Sequence, residues 1–385
     1  MTRTIKIGGF DHSGPAGKVE SVLIGGGRPV VIQTMWKDRL SFSDLEGPRG
    51  EALIARIGTL QKMGCRLLRF AVPDLPAAEA LGLLASRVSL PLVADIHFDY
   101  KIALRCLDFP IAKIRINPGN IGTREKVEAV LSKAALKERP IRIGVNAGSL
   151  PQDLRLEIDE GRLDRAEALV RAAERELAVF RDFGFDQVLV SMKASGIADT
   201  IKANRLLAER CDAPLHIGVT EAGPLVPGVV RNTAALISLL MEGIGDTVRV
   251  SLSDSVENEV IAGREIVSAA ADAGVPAGSP GAGRRPGGVR IVSCPRCGRN
   301  SFDTHGFTER WLTRLYSLDK DITVAVMGCE VNGPGEAREA DLGITGAGNK
   351  VLIFRRGEVT RIIDAAAADE VFGEELELFR NQPGY

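Results

Sequence analysis

The sequence predicts an α/β fold in which an N-terminal (β/α)8 TIM barrel is followed by a smaller α+β domain. In the first 273 residues, eight short runs rich in Val, Ile and Leu alternate with longer amphipathic stretches. Such runs are typical of strands that are buried on both faces, as in a parallel sheet covered by helices. A doubly wound open sheet is the main alternative, and the count of eight strands favours the closed barrel.

The strand and helix signals follow one another in a regular order. The strand runs lie at 30–35, 67–72, 92–96, 111–116, 141–145, 187–192, 215–219 and 247–252. Apolar residues recur at helical spacing at 50–63, 74–85, 123–135, 165–183, 233–242 and 257–270. Gly64 follows the first of these stretches and is a suitable C-cap. We therefore predict a substrate-binding barrel at residues 1–273.

The composition changes after the barrel. Residues 274–288 consist mostly of Gly, Pro, Ala and Arg, which cannot bury a core and predict a flexible linker. Strand signals then lie at 289–292, 322–327, 351–354 and 358–362, and helix signals lie at 309–318 and from about 366 onward. We predict a separate α+β domain at 289–385.

Composition and charge exclude several classes of function. The 385 residues carry a net charge of −1, so no overall field attracts nucleic acid or an anionic membrane. No run of eighteen apolar residues occurs, and the N-terminus lacks the apolar core of a signal peptide. We expect a cytoplasmic protein that binds neither membrane nor nucleic acid. Three isolated cysteines are predicted to be buried free thiols: Cys65, Cys106 and Cys211.

Three other cysteines and a glutamate predict a metal centre in the second domain. Cys294 and Cys297 form a Cys-x-x-Cys pair, Cys329 belongs to a separate loop, and Glu336 follows seven residues later. Three soft thiolates with one displaceable carboxylate suit an iron–sulfur cluster in which one iron remains open to chemistry. The second domain is therefore predicted to be an iron–sulfur domain.

Structural zinc is the alternative for this centre. His305 could complete a Cys3His set with the three cysteines. Zinc ligands usually come in two close pairs, however, and Cys329 has no partner two to four residues away. Gly328 and the turn at 333–335 leave room around a bulky cofactor.

Polar residues collect near the ends of the predicted barrel strands. Because the carboxyl ends of barrel strands open onto one face, we expect these side chains to converge on one mouth. They include five cations, Arg69, Arg115, Arg142, Lys193 and Arg249, together with Asp95, His97, Asn117, Asn146, Glu221 and Ser251. Five cations suit an anionic, phosphorylated substrate, with Asn146 and Ser251 as neutral donors. The alternative is that the cations form salt bridges with acids at the barrel rim.

Six strings identify a family resemblance. They lie at 93–100 (VADIHFDY), 115–122 (RINPGNIG), 141–150 (IRIGVNAGSL), 218–223 (GVTEAG), 242–252 (EGIGDTVRVSL) and 331–337 (VNGPGEA). In this order they resemble the 4-hydroxy-3-methylbut-2-en-1-yl diphosphate synthase family. The resemblance extends from about residue 5 to residue 355 and so covers both predicted domains.

The resemblance implies a reaction and a cofactor. The family converts 2-C-methyl-D-erythritol 2,4-cyclodiphosphate into (E)-4-hydroxy-3-methylbut-2-enyl diphosphate, a two-electron step of the non-mevalonate isoprenoid pathway. By position, the resemblance implies a [4Fe-4S] cluster held by Cys294, Cys297, Cys329 and Glu336. It also implies a flavodoxin or ferredoxin as electron donor. A homodimer is implied too, in which the barrel of one subunit faces the cluster domain of the other.

The resemblance also implies roles for single residues. The five cations of the mouth would bind the substrate diphosphate. Glu221 would act as an acid or base or orient the substrate, although it could instead balance Lys193 or Arg249. Asp95 and His97 would contact substrate, although His97 could be a structural barrel histidine. Asn332 would orient the substrate or Glu336.

Three loops depart from the pattern of the family. They lie at 36–39 after the first barrel strand, at 224–227 after the seventh and at 253–255 after the eighth. These departures leave the loop geometry, the turnover and the electron donor open. Two other functions remain: a zinc-containing barrel lyase or transferase acting on a phosphorylated substrate, and an iron–sulfur redox sensor.

Overall fold

A computed structural model describes residues 1–274, 288–318, 320–329 and 339–381. The chain divides into two compact units, Met1–Pro286 and Gly287–Tyr385. Except for Gly274 and Gly288, the predicted linker lies outside the described residues. None of the helices among the described residues is long and apolar enough to cross a bilayer.

The first unit starts with a β-hairpin that the sequence did not predict. Strands β1 (Ile5–Asp11) and β2 (Lys18–Ile24) pair antiparallel, with Ile5 opposite Ile24. Their buried side chains pack against Val31, Leu67 and Leu189, which lie at or near the starts of barrel strands. The hairpin therefore covers the amino-terminal end of the barrel. Gly8 and Gly9, both at positive φ, interrupt the apolar alternation that would have revealed it.

Eight parallel strands form the barrel. They are β3 (Val31–Met35), β4 (Leu67–Ala71), β5 (Leu92–Asp95), β6 (Lys113–Ile116), β7 (Ile141–Asn146), β8 (Val188–Lys193), β9 (His216–Ile217) and β10 (Thr247–Val248). The strand order is β8-β7-β6-β5-β4-β3-β10-β9. A parallel bridge between Val190 and Leu215 joins the two ends of this sheet. The predicted barrel is thus confirmed, although β9 and β10 are shorter than the sequence indicated.

Helices surround the strands. They are α1 (Gly47–Lys62), α2 (Leu75–Ala85), α3 (Tyr100–Cys106), α4 (Pro118–Ile121), α5 (Arg124–Leu136), α6 (Gln152–Asp159), α7 (Arg165–Phe183), α8 (Ile197–Arg210), α9 (Leu225–Met241) and α10 (Val256–Asp272). All six predicted helices are present, whereas α3, α4, α6 and α8 were not predicted. Helix α9 begins eight residues earlier than predicted because Pro224 and Pro227 sit at its N-cap and in its first turn, where no N–H donor is needed.

In its described residues, the second unit is a five-stranded mixed sheet with two helices. Its elements are β11 (Val289–Ser293), α11 (Thr304–Tyr316), β12 (Ile322–Met327), β13 (Leu342–Ala347), β14 (Lys350–Arg355), β15 (Glu358–Asp364) and α12 (Ala368–Asn381). Strands β11, β12 and β13 are parallel, and β13, β14 and β15 are antiparallel. Strand β13 was not predicted because two glycines weaken its signal. A Cβ on Gly343 would lie 2.1 Å from the Phe354 ring, so packing requires glycine there.

Candidate active site and metal centre

The barrel strands bring the predicted polar residues to their shared carboxyl end. Arg69 lies in β4, Asp95 ends β5, and Arg115 lies in β6. The sheet register places Asp95 beside Arg115 and Arg115 beside Arg142. It also places Asn146 beside Lys193 at the ends of β7 and β8. The convergence expected from strand order is therefore present for these side chains.

Asp95 is the buried acid at the centre of this group. Its Oδ1 accepts a hydrogen bond from Arg115 Nη1 at 3.1 Å, and its Oδ2 lies 3.5 Å from Arg69 Nε. His97 Nε2 lies 3.6 Å from Asp95 Oδ1. Burial alone would raise the pKa of Asp95, but Arg69, His97 and Arg115 together hold that pKa below its ordinary value. Asp95 therefore stays ionised and orients two of the five cations.

The Arg115 side chain lies against the neighbouring strand β7 at Gly144, which has no side chain. Its Nη2 donates to the Gly144 carbonyl oxygen at 3.2 Å. A Cβ built on Gly144 would lie 2.3 Å from Arg115 Nε, which is closer than real Cβ contacts. Gly144 thus determines where the Arg115 guanidinium can lie.

Gly144→Ala tests this placement. The added methyl group must displace the Arg115 guanidinium, and overpacking of this kind costs about 1–3 kcal/mol of unfolding free energy. We expect a lower midpoint of thermal unfolding together with weaker binding of pyrophosphate by the full-length protein. Gly58→Ala is the matched control, because Gly58 lies inside α1 with nothing within 4 Å of a built Cβ. Unchanged pyrophosphate binding by Gly144→Ala would show that Arg115 is not held by this contact.

Arg142 and Lys113 lie buried among unpaired donors. Arg142 is 1% exposed, and its Nε and Nη1 atoms have no hydrogen-bond partner, nor does Gln33 Nε2. Lys113 is fully buried, and its Nζ lies 3.3 Å from Gln33 Oε1. Burial and neighbouring cations lower the pKa of Arg142 and that of Lys113. Buried donors without acceptors are costly to a fold, and an anion would satisfy them.

Lys193 contacts a buried histidine, His216. Its Nζ lies 3.1 Å from His216 Nε2, and His216 Nδ1 lies 2.7 Å from Thr247 Oγ1. Burial, with the charge of Lys193 next in weight, lowers the pKa of His216, so the ring is neutral. Burial and then Arg142 lower the pKa of Lys193. A bound anion would offset the repulsion between the cations of the barrel interior.

Arg249 has an acid partner that the sequence did not predict. Its Nε and Nη2 donate to the two carboxylate oxygens of Glu259 at 3.2 and 3.0 Å. Glu259 lies in the first turn of α10 and is buried. Ser251, two residues beyond Arg249, is half-buried in the following loop. Asp95 and Glu259 therefore give three of the five predicted cations an ionic partner, as the salt-bridge alternative requires.

A cavity of about 660 Å³ opens beside this group. Five predicted residues line it: His97, Arg115, Asn117, Asn146 and Glu221. The lining also includes Asn120, Arg155, Arg165, Ser195 and Thr220. Glu221 is exposed and has a φ of 52°, an uncommon conformation for a residue other than glycine. The cavity is polar and large enough for a small phosphorylated molecule.

The three cysteines of the second unit lie on loops that leave neighbouring strands. Cys294 follows β11 and Cys329 follows β12, and these two strands are parallel partners. Cys294 N–H donates to the Val326 carbonyl oxygen at 2.9 Å, and Thr345 Oγ1 donates to the Cys329 carbonyl oxygen at 3.0 Å. Cys294 is half-buried, Cys297 is exposed and Cys329 is buried. Glu336 and Asn332 lie outside the described residues.

The three cysteines of the second unit suit a metal centre by residue type, although the structure does not gather the described side chains around one point. The chain has no disulfide, because all six cysteines are described and unbridged, so the three thiols on these two loops are available as metal ligands. Asn300 Oδ1 is buried without a hydrogen-bond partner beside Gly328, where a built Cβ would lie 1.9 Å from it. Among the described residues alone, no three His, Cys, Asp or Glu side chains are close enough to hold a metal ion. His305, the fourth ligand of the zinc alternative, contacts Glu309 on its own helix.

Both parts of the chain match models of one protein family. Residues 16–264 match the family model described as the GcpE TIM-barrel domain, and residues 290–378 match the GcpE protein C-terminal domain. The chain belongs to the GcpE family. The predicted fold class and the family resemblance are thereby confirmed for both parts of the chain.

Curated GcpE relatives align over nearly their whole length. A protein of Treponema denticola is 47% identical, covering 98% of this chain and 98% of its own. A protein of Treponema pallidum is 49% identical, and the alignment covers 96% of this chain and 91% of that protein. A protein of Geobacter sulfurreducens is 43% identical, and the alignment covers 93% of this chain and 95% of that protein. All three are named 4-hydroxy-3-methylbut-2-en-1-yl diphosphate synthase (flavodoxin).

Three buried polar residues at the site of this GcpE chain were not predicted from the sequence: Lys113, His216 and Glu259. Lys113 stands two positions before Arg115, and the alternation of a strand puts both on the same face. That spacing could have revealed Lys113. His216 interrupts an apolar run and could have been noticed in the same way. Glu259 gave no such signal, because a glutamate in the first turn of a helix is usually exposed.

Proposed function

We propose that this chain catalyses the reductive ring opening of 2-C-methyl-D-erythritol 2,4-cyclodiphosphate to (E)-4-hydroxy-3-methylbut-2-enyl diphosphate. The observation that carries the proposal is the basic barrel interior of a chain whose relatives are named for this product. Six cations, Arg69, Lys113, Arg115, Arg142, Lys193 and Arg249, lie there with two acidic partners, Asp95 and Glu259. The reaction consumes two electrons and two protons and releases one oxygen atom as water.

The five cations predicted from the sequence are the proposed diphosphate ligands. Arginine guanidinium groups match phosphate oxygens with two parallel hydrogen bonds, which fixes the orientation of the substrate. Arg142 and Lys193 have the strongest reason to bind an anion, because both are buried and neither has an acidic hydrogen-bond partner among the described residues. Asn146 and Ser251 supply neutral hydrogen bonds beside them.

Glu221 is the proposed proton donor to the departing oxygen. It lines the cavity next to Thr220, and its positive φ is a strained conformation of the kind that is retained at functional sites. His97 lines the same cavity, and Asp95 orients it through a 3.6 Å contact. We propose that these two residues position the substrate for protonation.

We propose Cys294, Cys297, Cys329 and Glu336 as the ligands of a [4Fe-4S] cluster. When bound, such a cluster supplies electrons one at a time and a Lewis-acidic iron. Cys294 and Cys329 are supported by the parallel strands that precede them. For Glu336 the support is the family pattern, and its proposed role is that of a displaceable ligand. Asn332 is proposed to orient the substrate or Glu336.

The proposed electron donor is a flavodoxin, because the relatives carry that word in their names. A ferredoxin remains the alternative donor. We propose a cytoplasmic location, since a reducing compartment keeps metal-binding thiols reduced. We also propose a homodimer in which the barrel of one subunit faces the cluster domain of the other.

Mixing two inactive variants tests the homodimer. Arg142→Met disables the barrel, and Cys294→Ser disables the cluster domain. If each site combines both subunits, a mixed dimer contains one intact site, and random exchange restores about one quarter of the wild-type activity. The measurement is turnover after subunit exchange, with each variant alone as the control. No recovery in a sample that two different affinity tags show to contain mixed dimers would contradict the arrangement.

The proposed reaction is tested by anaerobic turnover. Protein purified without oxygen is supplied with the cyclodiphosphate and either dithionite or reduced flavodoxin, and the product is measured by mass spectrometry. We expect product only when a reductant is present. Conversion of the cyclodiphosphate without a reductant into a different, unreduced product would support the non-redox lyase or transferase. Reduction of a cluster without any product would support the redox sensor, and either outcome would overturn the proposal.

A further inference from the structure

Glu259 connects two loops at the carboxyl end of the barrel. Its side chain is completely buried, and it accepts hydrogen bonds from Thr34 Oγ1 at 2.6 Å and Leu252 N–H at 3.0 Å. Arg249 contacts it with two nitrogens, and Lys37 Nζ bonds to its Oε1. Burial alone would raise the pKa of Glu259, but Arg249 and then Lys37 hold that pKa below its ordinary value. The carboxylate is therefore ionised and shared between two cations.

Lys37 comes from the loop at 36–39, which departs from the family pattern. Its Nζ also donates to the Leu252 carbonyl oxygen at 2.8 Å, which ties this loop to the one that follows β10. The neighbouring Trp36 is 9% exposed, stacks on Phe70 with ring centroids 5.8 Å apart, and lies under the Arg56 guanidinium at 4.8 Å. The loop is therefore held in place by the contacts of both Trp36 and Lys37.

The charges of this group decide what Lys37 does. The charges of Arg249 and Glu259 alone would sum to zero, and a neutralised guanidinium attracts an anion only weakly. With Lys37 the three side chains carry one net positive charge. The side chain of Lys37 is 31% exposed, whereas that of Arg249 is 12% exposed. Neither Lys37 nor Arg249 is among the residues that line the 660 Å³ cavity.

We infer that Lys37 is a positioning residue for substrate binding, which shares the Glu259 carboxylate and so leaves part of the positive charge of Arg249 unneutralised to attract the anion. The inference rests on the proposed function only for the identity of that anion. The same geometry holds the loop that carries Ser251, since Lys37 and Glu259 both bond to the backbone of Leu252.

The test compares Lys37→Met with Lys37→Arg in the full-length protein. Binding of inorganic pyrophosphate is measured by calorimetry, and KM and kcat are measured with the cyclodiphosphate. We expect Lys37→Met to weaken pyrophosphate binding and to raise KM about tenfold, with kcat changed far less, because the Glu259 carboxylate would then neutralise Arg249 alone. Lys37→Arg restores both values. Lys18→Met, an exposed lysine on β2 at the opposite end of the barrel, is the matched control.

A second background separates positioning from direct contact. In Glu259→Gln the acid that neutralises Arg249 is gone, so adding Lys37→Met should no longer weaken pyrophosphate binding. An equal loss in both backgrounds would make Lys37 a direct ligand and would overturn the inference. Wild-type affinity in a folded Lys37→Met protein would also overturn it. If Glu259→Gln fails to fold, the failure of Lys37→Arg to rescue remains a decisive contrary result.

The two proposals fail in different ways. Pyrophosphate binding that depends on Lys37 in a protein that does not reduce the cyclodiphosphate would remove the proposed function and keep this inference. Turnover with a KM that does not respond to Lys37→Met would keep the function and remove the inference.

Discussion

Replacing Arg142 with methionine is expected to raise the KM for the cyclodiphosphate by about 10²-fold or more and to make the protein more stable. Losing a buried charged contact to a substrate typically costs about 2–5 kcal/mol of binding. The same guanidinium costs the empty protein stability, because two of its nitrogens are buried without a partner. Replacing such a group with an apolar side chain should raise the free energy of unfolding by about 1–3 kcal/mol.

The measurements are steady-state kinetics and chemical denaturation of the same preparation. Arg264→Met is the matched control. Arg264 lies in α10 and is also buried, but it donates to the Met63 carbonyl oxygen. That control should lose stability and keep its KM. An unchanged KM in Arg142→Met would remove Arg142 from the proposed diphosphate site.

Replacing Cys329 with serine is expected to remove the cluster and lower turnover by roughly 10³-fold or more, because the electrons of the reaction would have no carrier. Cys329 is buried, and its loop is held by Thr345. Iron and sulfide content and the absorption near 400 nm are measured together with turnover. Cys211→Ser is the control, because this half-buried thiol at the end of α8 should leave both unchanged.

Glu336→Ala separates ligation from assembly. The three thiolates should still hold a cluster in this variant, while turnover falls sharply because the open position has lost its displaceable ligand. Full activity in Glu336→Ala would contradict the ligand role, and complete loss of iron would show that the carboxylate is needed for assembly.

The sequence predicted the barrel well because its strands are buried on both faces. Runs such as 67–72 and 141–145 contain few residues that would suit a surface, so their pattern is unambiguous. The opening hairpin was missed because Gly8 and Gly9 break its alternation. Strands β9 and β10 are only two residues long, and the polar residues Glu221 and Arg249 lie beyond their ends.

The candidate site was only partly predictable for a different reason. Cations at strand ends can be read from the sequence, because the ends of parallel strands meet at one edge. Which cation receives an acid partner depends on distant residues, since Glu259 reaches Thr34 from 225 positions away. Lys37 likewise acquires its role from a contact 222 positions distant. Local periodicity carries no information about such contacts.

The most direct test is Mössbauer spectroscopy of protein grown on ⁵⁷Fe and purified without oxygen. The account predicts a [4Fe-4S] signal in which one iron differs from the other three and changes when the cyclodiphosphate is added. An iron-free protein, or a cluster with four equivalent irons that ignores the cyclodiphosphate, would contradict it.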